Sequence, residues 1–211
     1  MSALASAMKF LSQPGFGIYA AHAAFWCAFV IARLIAQSSA PGQHDNREGA
    51  TRASTQDAAP YSRALVSFHA FAFAILYFGL VIAVFGGHSL ALFQSQPIAA
   101  LLVIGCGAVL CCWALLYFRS WRFRATVAVG HELATGGPFR LLRHPIYMAL
   151  NLLALGSALW IPTPIVWFSF VLVVVGSDLR ARSEEALLLR TYGDAYASYC
   201  ERSRRFVPGV Y

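Results

Sequence analysis

The 211-residue chain is 59% hydrophobic and only 12% charged, far from the soluble balance of roughly half apolar and about a quarter charged. That excludes a soluble protein and makes the chain an all-α integral membrane protein. Its net charge of +7 comes from fifteen Arg and one Lys, and their placement speaks for topology; no nucleic-acid partner is expected. Apolar segments spread from residue 16 to residue 177 leave no room for a separate soluble domain, so residues 1–211 read as a single domain.

Three apolar runs lie near 16–37, 64–85 and 97–118. Each has about twenty residues, enough to cross a bilayer core of roughly 30 Å. They give a three-helix part over 16–118. The first run has a weak basic start in Lys9 and no small-x-small site behind it, so it is expected to remain in place and not to be cleaved as a signal peptide. Segment 39–62 is rich in Ser, Ala, Gly and charge, which predicts a mobile loop. Arg47, Arg52 and Arg63 fall between the first and second runs, and Arg119, Arg122, Arg124, Arg140 and Arg143 follow the third. Between the second and third, 86-GGHSLALFQSQ-96 has no Lys or Arg. Arg-rich loops stay cytosolic, so the amino terminus is expected outside and residues 119–145 inside.

A fourth run, 146–160, and a fifth, 165–177, are separated by 161-IPTP-164. Fifteen residues of helix reach only about 22 Å, and Pro162 and Pro164 break the helix between the two arms. The expectation is a helical hairpin entering and leaving on the cytosolic face, about five membrane helices in all. The polar tail would be a cytosolic helical cap. Pro145 opens the fourth helix at a position that Pro tolerates, and Gly193 is the expected stop of the fifth.

Cys27, Cys106, Cys111 and Cys112 lie in apolar runs without Cys-x-x-Cys spacing, so packing thiols are expected and no metal site. His22 and His69 lie inside membrane runs, where an ionisable residue is a functional candidate by default. Near helix ends, however, a neutral imidazole can be satisfied by a neighbouring carbonyl, and both read as structural. Gly105 and Gly107 would permit close helix contact. Tyr147 follows His144 by three residues, placing the two on one side of the first turn of the fourth helix. Arg180 and Glu184 stand at i and i+4, which on pattern alone is a solvated, salt-bridged face.

The ordered set His131-x-Leu133, Gly137-Pro138-Phe139, Arg143-His144-Pro145-x-Tyr147, Arg180-x-x-x-Glu184-Glu185 and Tyr192-Gly193-x-x-Tyr196-x-x-Tyr199 resembles the isoprenylcysteine carboxyl methyltransferase family. Membrane methyltransferases acting on phospholipid amines share part of it. The resemblance covers residues 119–211, making that stretch the cofactor-binding and catalytic part. It implies a cytosol-facing pocket for S-adenosyl-L-methionine, capped by the tail, and an acceptor entering sideways from membrane lipid. His131, Glu132, Leu133 and Ala134 would line the cofactor together with Phe139. His144, Pro145, Ile146 and Tyr147 would form its second wall, Glu184 would meet its cationic part, and Arg180 would hold the substrate carboxylate. Ala149 and Ser203 depart from the family pattern, which touches helix packing and tail geometry more than chemistry.

The resemblance therefore implies S-adenosylmethionine-dependent O-methylation of a prenylated cysteine or similar amphipathic acid. The alternatives are methylation of a phospholipid amine or small thiol, and a non-enzymatic membrane protein whose Arg clusters only fix topology. An ionised carboxylate needs no general base, only alignment and exclusion of water. A guanidinium grips such an acceptor with two prongs, whereas it would repel an ammonium group.

Overall fold

The computed structural model describes residues 15–38, 62–86, 92, 95–117 and 133–207. The loop expected at 39–62, apart from Ser62, which begins a helix, and the segment 118–132, with His131 and Glu132, lie outside the described residues. Among the described residues, the regular elements are helical: α1 (Phe16–Ser38), α2 (Ser62–Phe85), α3 (Pro97–Tyr117), a 3-10 turn (Gly137–Arg140), α4 (Pro145–Trp160), α5 (Pro164–Tyr192) and α6 (Asp194–Arg202).

Helices α1, α2 and α3 have 23, 24 and 21 residues, or roughly 31–36 Å at 1.5 Å per residue. With α5 they are the four described helices long and apolar enough to cross a membrane. Of the two short hairpin arms expected among about five membrane helices, α4 is short as expected and α5 is not. α4, with 16 residues, reaches only about 24 Å. α5 does not stop where its apolar run does; its 29 residues extend about 43 Å, carrying the charged sequence from Asp178 onward on the same helix.

The helices pack on one another through both small and large apolar residues and present further large apolar ones outward. Val30, Leu34, Phe71, Phe78, Val109 and Phe168 are exposed on the outer faces, as a lipid-facing surface requires, while Phe25, Leu76, Leu80, Leu115, Leu153 and Val173 are shut inside. α3 packs on α1 and α4, α2 packs on α5, and α4 and α5 form the expected hairpin around Ile161–Thr163. A Cβ on Gly107 would lie 3.0 Å from the Ala149 carbonyl oxygen, and one on Gly156 would lie 3.0 Å from that of Ala100. Gly107 thus admits α4 to α3, whereas Gly105 has open space beside it and contributes nothing to the contact. Cys111 is a buried packing thiol as expected, but Cys27 and Cys106 face outward, and all five cysteines are free.

Phe16 and Tyr19 meet Phe85, and Leu92 and Gln96 bond the carbonyls of Pro162 and Leu159. The start of α1, the end of α2, the start of α3 and the α4–α5 turn therefore share one end of the bundle, the one with the Arg-free loop. The opposite end gathers described arginines, among them Arg140, Arg143, Arg204 and Arg205. His22 lies toward the Arg-free end, satisfied by side chains and not by the carbonyl expected: Nδ1 is 2.9 Å from Tyr77 Oη and Nε2 is 2.8 Å from Ser157 Oγ. Trp26 donates to the same Tyr77 oxygen at 2.6 Å, so α1, α2 and α4 are pinned by one buried polar knot.

Candidate active site

At the Arg-rich end the chain returns past the end of α3 through Gly136 and Gly137. A Cβ on Gly136 would collide with the Tyr117 hydroxyl, and Gly137 has φ +55° beside the same ring, a conformation glycine adopts without strain. The 3-10 turn then buries Pro138 and Phe139. The Phe139 carbonyl accepts the Tyr199 hydroxyl of α6 at 2.6 Å. Burial pushes that phenol up to about 12, so it keeps the proton it donates.

The tail is held along this segment by backbone bonds. Arg204 N–H donates to Leu141 O at 3.0 Å, Arg143 N–H to Arg204 O at 2.7 Å and His144 N–H to Arg205 O at 3.3 Å. Ser203, where the resemblance favours an apolar residue, is buried with its hydroxyl on Tyr199 O at 2.7 Å. A hydroxyl is accommodated because the preceding turn offers a carbonyl.

Glu185 ties these pieces to α5. It accepts Arg143 Nε at 2.8 Å and His144 Nε2 at 3.3 Å. Arg205 adds a two-pronged grip, NH2 to Oε2 at 2.6 Å and Nε to both oxygens at 3.1 Å. Arg143 also donates to the carbonyls of Cys200 and Ser203, and Arg205 reaches Asp178 at 3.1 Å. Two cations thus neutralise one carboxylate and lock the tail over the mouth of α4.

Beside this lock lies a second cluster. The His144 and Tyr147 rings stack at 5.6 Å and 13°, as their spacing predicts. The Tyr147 hydroxyl donates to Glu184 Oε1, and His144 Nδ1 is 3.6 Å from Glu184 Oε2. Arg180 is only 9% exposed; its guanidinium carbon lies 4.8 Å from the centroid of the Tyr147 ring, within cation–π range. The solvated-face reading of Arg180 is therefore wrong. The exposed i,i+4 pair on α5 is Asp178 with Arg182, at 2.6 Å.

Tyr147, His144, Arg180 and Glu184 are thus brought together. The Phe139 side chain packs in the main apolar core beside Tyr117, with Ala134 against the same core, so neither side chain is shown in this cluster. Leu133 is half-buried beside Ala134. Pro145 and Ile146 are buried, with the Ile146 side chain in the main apolar core, so any cofactor contact from Ile146 comes from its backbone. His69, Glu185 and Arg205 were not among the expected site residues. For His69 the signal was an imidazole within an apolar run, and for Glu185 its place in the motif that carries the resemblance; for Arg205 there was none, since its pairing depends on the tail folding back.

The two acidic neighbours differ in a way that bears on a cofactor. Glu185 is saturated by two guanidinium groups, whereas Glu184 meets the uncharged Tyr147 hydroxyl and the His144 ring. Its charge suits a cationic ligand, so the residues present fit a sulfonium methyl donor.

Residues 95–195 match the phospholipid methyltransferase family model. No curated protein matches the chain. The matched stretch runs from the start of α3 into α6 and holds Phe139, His144, Tyr147, Arg180 and Glu184; α1, α2 and the tail arginines lie outside it. That family shares a superfamily of integral membrane methyltransferases with the isoprenylcysteine enzymes. Together with the apolar helices, the match supports a multi-pass membrane methyltransferase, and members of that family typically use S-adenosylmethionine.

Proposed function

We propose that the chain methylates the carboxylate of a prenylated cysteine or similar amphipathic acid, with S-adenosylmethionine as methyl donor and the site facing the cytosol. The observation that carries this reading is Arg180, a guanidinium buried against Tyr147 beside Glu184. A planar fork of donors suits a carboxylate and fixes its orientation. When bound, the cofactor supplies an electrophilic methyl group. Glu184 attracts its cationic part, the stacked His144 and Tyr147 form a wall beside it, and the lock at Glu185 keeps the tail closed against water. Arg180 orients the acceptor oxygen in line with the methyl group. An ionised carboxylate needs no base, so alignment and dryness are the main contributions of the protein.

The family match favours a second reading, methylation of a phospholipid amine. That acceptor would require a base to remove a proton, and Arg180 would repel an ammonium group. The deciding experiment incubates purified protein with methyl-labelled S-adenosylmethionine and either farnesylcysteine-type acids or phosphatidylethanolamine. A methyl ester releases its label as methanol in alkali, whereas an N-methyl lipid retains it. Alkali-labile label on the acid supports the carboxylate reading; stable label on the phospholipid alone refutes it.

A further inference from the structure

The family match does not reach α2, yet α2 delivers a side chain into the Arg180 cluster. Gly176 of α5 faces this part of α2, where a Cβ would lie 3.3 Å from the Phe68 ring and 3.5 Å from His69 Cα. His69 is 3% exposed. Its ring stacks on Phe73 at 5.5 Å and lies 6.1 Å from the Tyr147 ring. Nδ1 is 3.4 Å from Arg180 NH1. A guanidinium offers donors only, so Nδ1 is the acceptor, and a neutral imidazole must then carry its proton on Nε2. That Nε2 is buried without a hydrogen-bond partner.

Native proteins rarely leave a buried N–H unmatched, and exceptions call for an explanation. His22 shows the contrast, for both of its ring nitrogens are engaged. His22 completes a structural knot; His69 is half of a contact.

We propose that His69 is an acceptor-contacting residue: its Nε2–H donates to an oxygen of the carboxylate that Arg180 orients. The proposal rests on the carboxylate reading given above. Two donors from different helices would then define the anionic end of the acceptor, with Nδ1 of the same ring steadying the guanidinium.

A purely structural role for His69 would lie in Nδ1, and the two roles separate by substitution. In His69→Asn the amide oxygen stands near the Nδ1 position and can still accept from Arg180, but no donor reaches the Nε2 position. In His69→Gln an amide N–H reaches that position. Michaelis constants for a farnesylcysteine-type acid, binding of its neutral methyl ester, and S-adenosylmethionine affinity are measured in each variant. We expect the acid's constant to rise roughly tenfold or more in His69→Asn, the scale of one lost charge-assisted hydrogen bond. Ester binding and cofactor affinity stay near wild type, and His69→Gln recovers most of the loss. An unchanged constant in His69→Asn, or the reverse ranking of the two variants, overturns the proposal. If His69→Asn loses cofactor binding altogether, His69→Gln decides: a tenfold rise there refutes it, near-normal values support it. A wild-type protein that methylates no acid overturns both readings, while normal wild-type transfer with an indifferent His69→Asn overturns this one alone.

Discussion

Replacing Glu185 by Ala tests whether the tail is a built-in part of the site. The carboxylate is 14% exposed and its partners Arg143 and Arg205 are 13% and 15% exposed, so the charges are largely withdrawn from water. Breaking a buried ion pair by deleting one partner costs about 3–5 kcal/mol. The low end applies, because Arg143 keeps the Cys200 and Ser203 carbonyls and Arg205 keeps Asp178. A loss of about 3 kcal/mol raises the population of the detached tail roughly a hundredfold. Trypsin reports that population, since Arg202, Arg204 and Arg205 become cleavable when the strand-like pairing with Leu141–His144 opens. The expected result is cleavage accelerated by about two orders of magnitude in Glu185→Ala and less in Glu185→Gln, which keeps a hydrogen-bonding oxygen. The membrane core should be intact by circular dichroism. Cleavage within about threefold of wild type, with the fold preserved, would show that the tail is held by its backbone bonds alone.

Arg180→Lys keeps the charge but loses the planar fork, and we expect turnover of the acid acceptor to fall at least tenfold with cofactor affinity retained. Glu184→Gln should instead raise the apparent constant for S-adenosylmethionine; near-normal kinetics in both variants would take the pair out of the site. His144→Ala and Tyr147→Ala should each weaken cofactor binding roughly tenfold, the equivalent of about 1.4 kcal/mol, as read by calorimetric titration. A reporter fused after Gly87 should be external, while reporters at residues 50 and 130 and at the carboxyl terminus should be internal. A cytosolic signal at Gly87 would invert the proposed orientation.

The parts of the molecule governed by local rules were readable in advance. Apolar runs place α1, α2 and α3 within two residues of their observed ends, Pro145 opens α4, and Gly193, at φ +52°, closes α5. The stacking of His144 on Tyr147 followed from a spacing of three. What escaped was set by distant partners. His69 and Arg180 are 111 positions apart and Glu185 and Arg143 are 42 apart, and nothing in either neighbourhood announces the pairing. Arg180 and Asp178 look alike as members of one charged run. The packing of α2 on α5 buries the first, while the second is half-buried between Arg182 and Arg205. His22 was expected to rest on a carbonyl, yet helix carbonyls are already engaged along α1, and Tyr77 and Ser157 from other helices were better placed.

The mismatch between α4 and α5 gives the site its depth. Pro145 stands fifteen residues before Trp160, and Arg180 stands sixteen after Pro164, so both lie about 22–24 Å from the hairpin turn. With the turn at one boundary of an apolar layer of roughly 30 Å, the start of α4 and Arg180 would fall some 6–8 Å short of the other boundary. On that placement His144, Tyr147 and Arg180 would gather below the membrane surface, where a charged residue is costly unless partnered. Tyr147 and His69 supply those partners from either side of the guanidinium. The resulting step is closed from above by the tail and bordered laterally by helices with apolar outer faces. Under the proposed reading, a polar methyl donor would reach such a place from the aqueous side and a lipid-anchored acid from the bilayer, so that neither would have to leave its own solvent completely to meet the other.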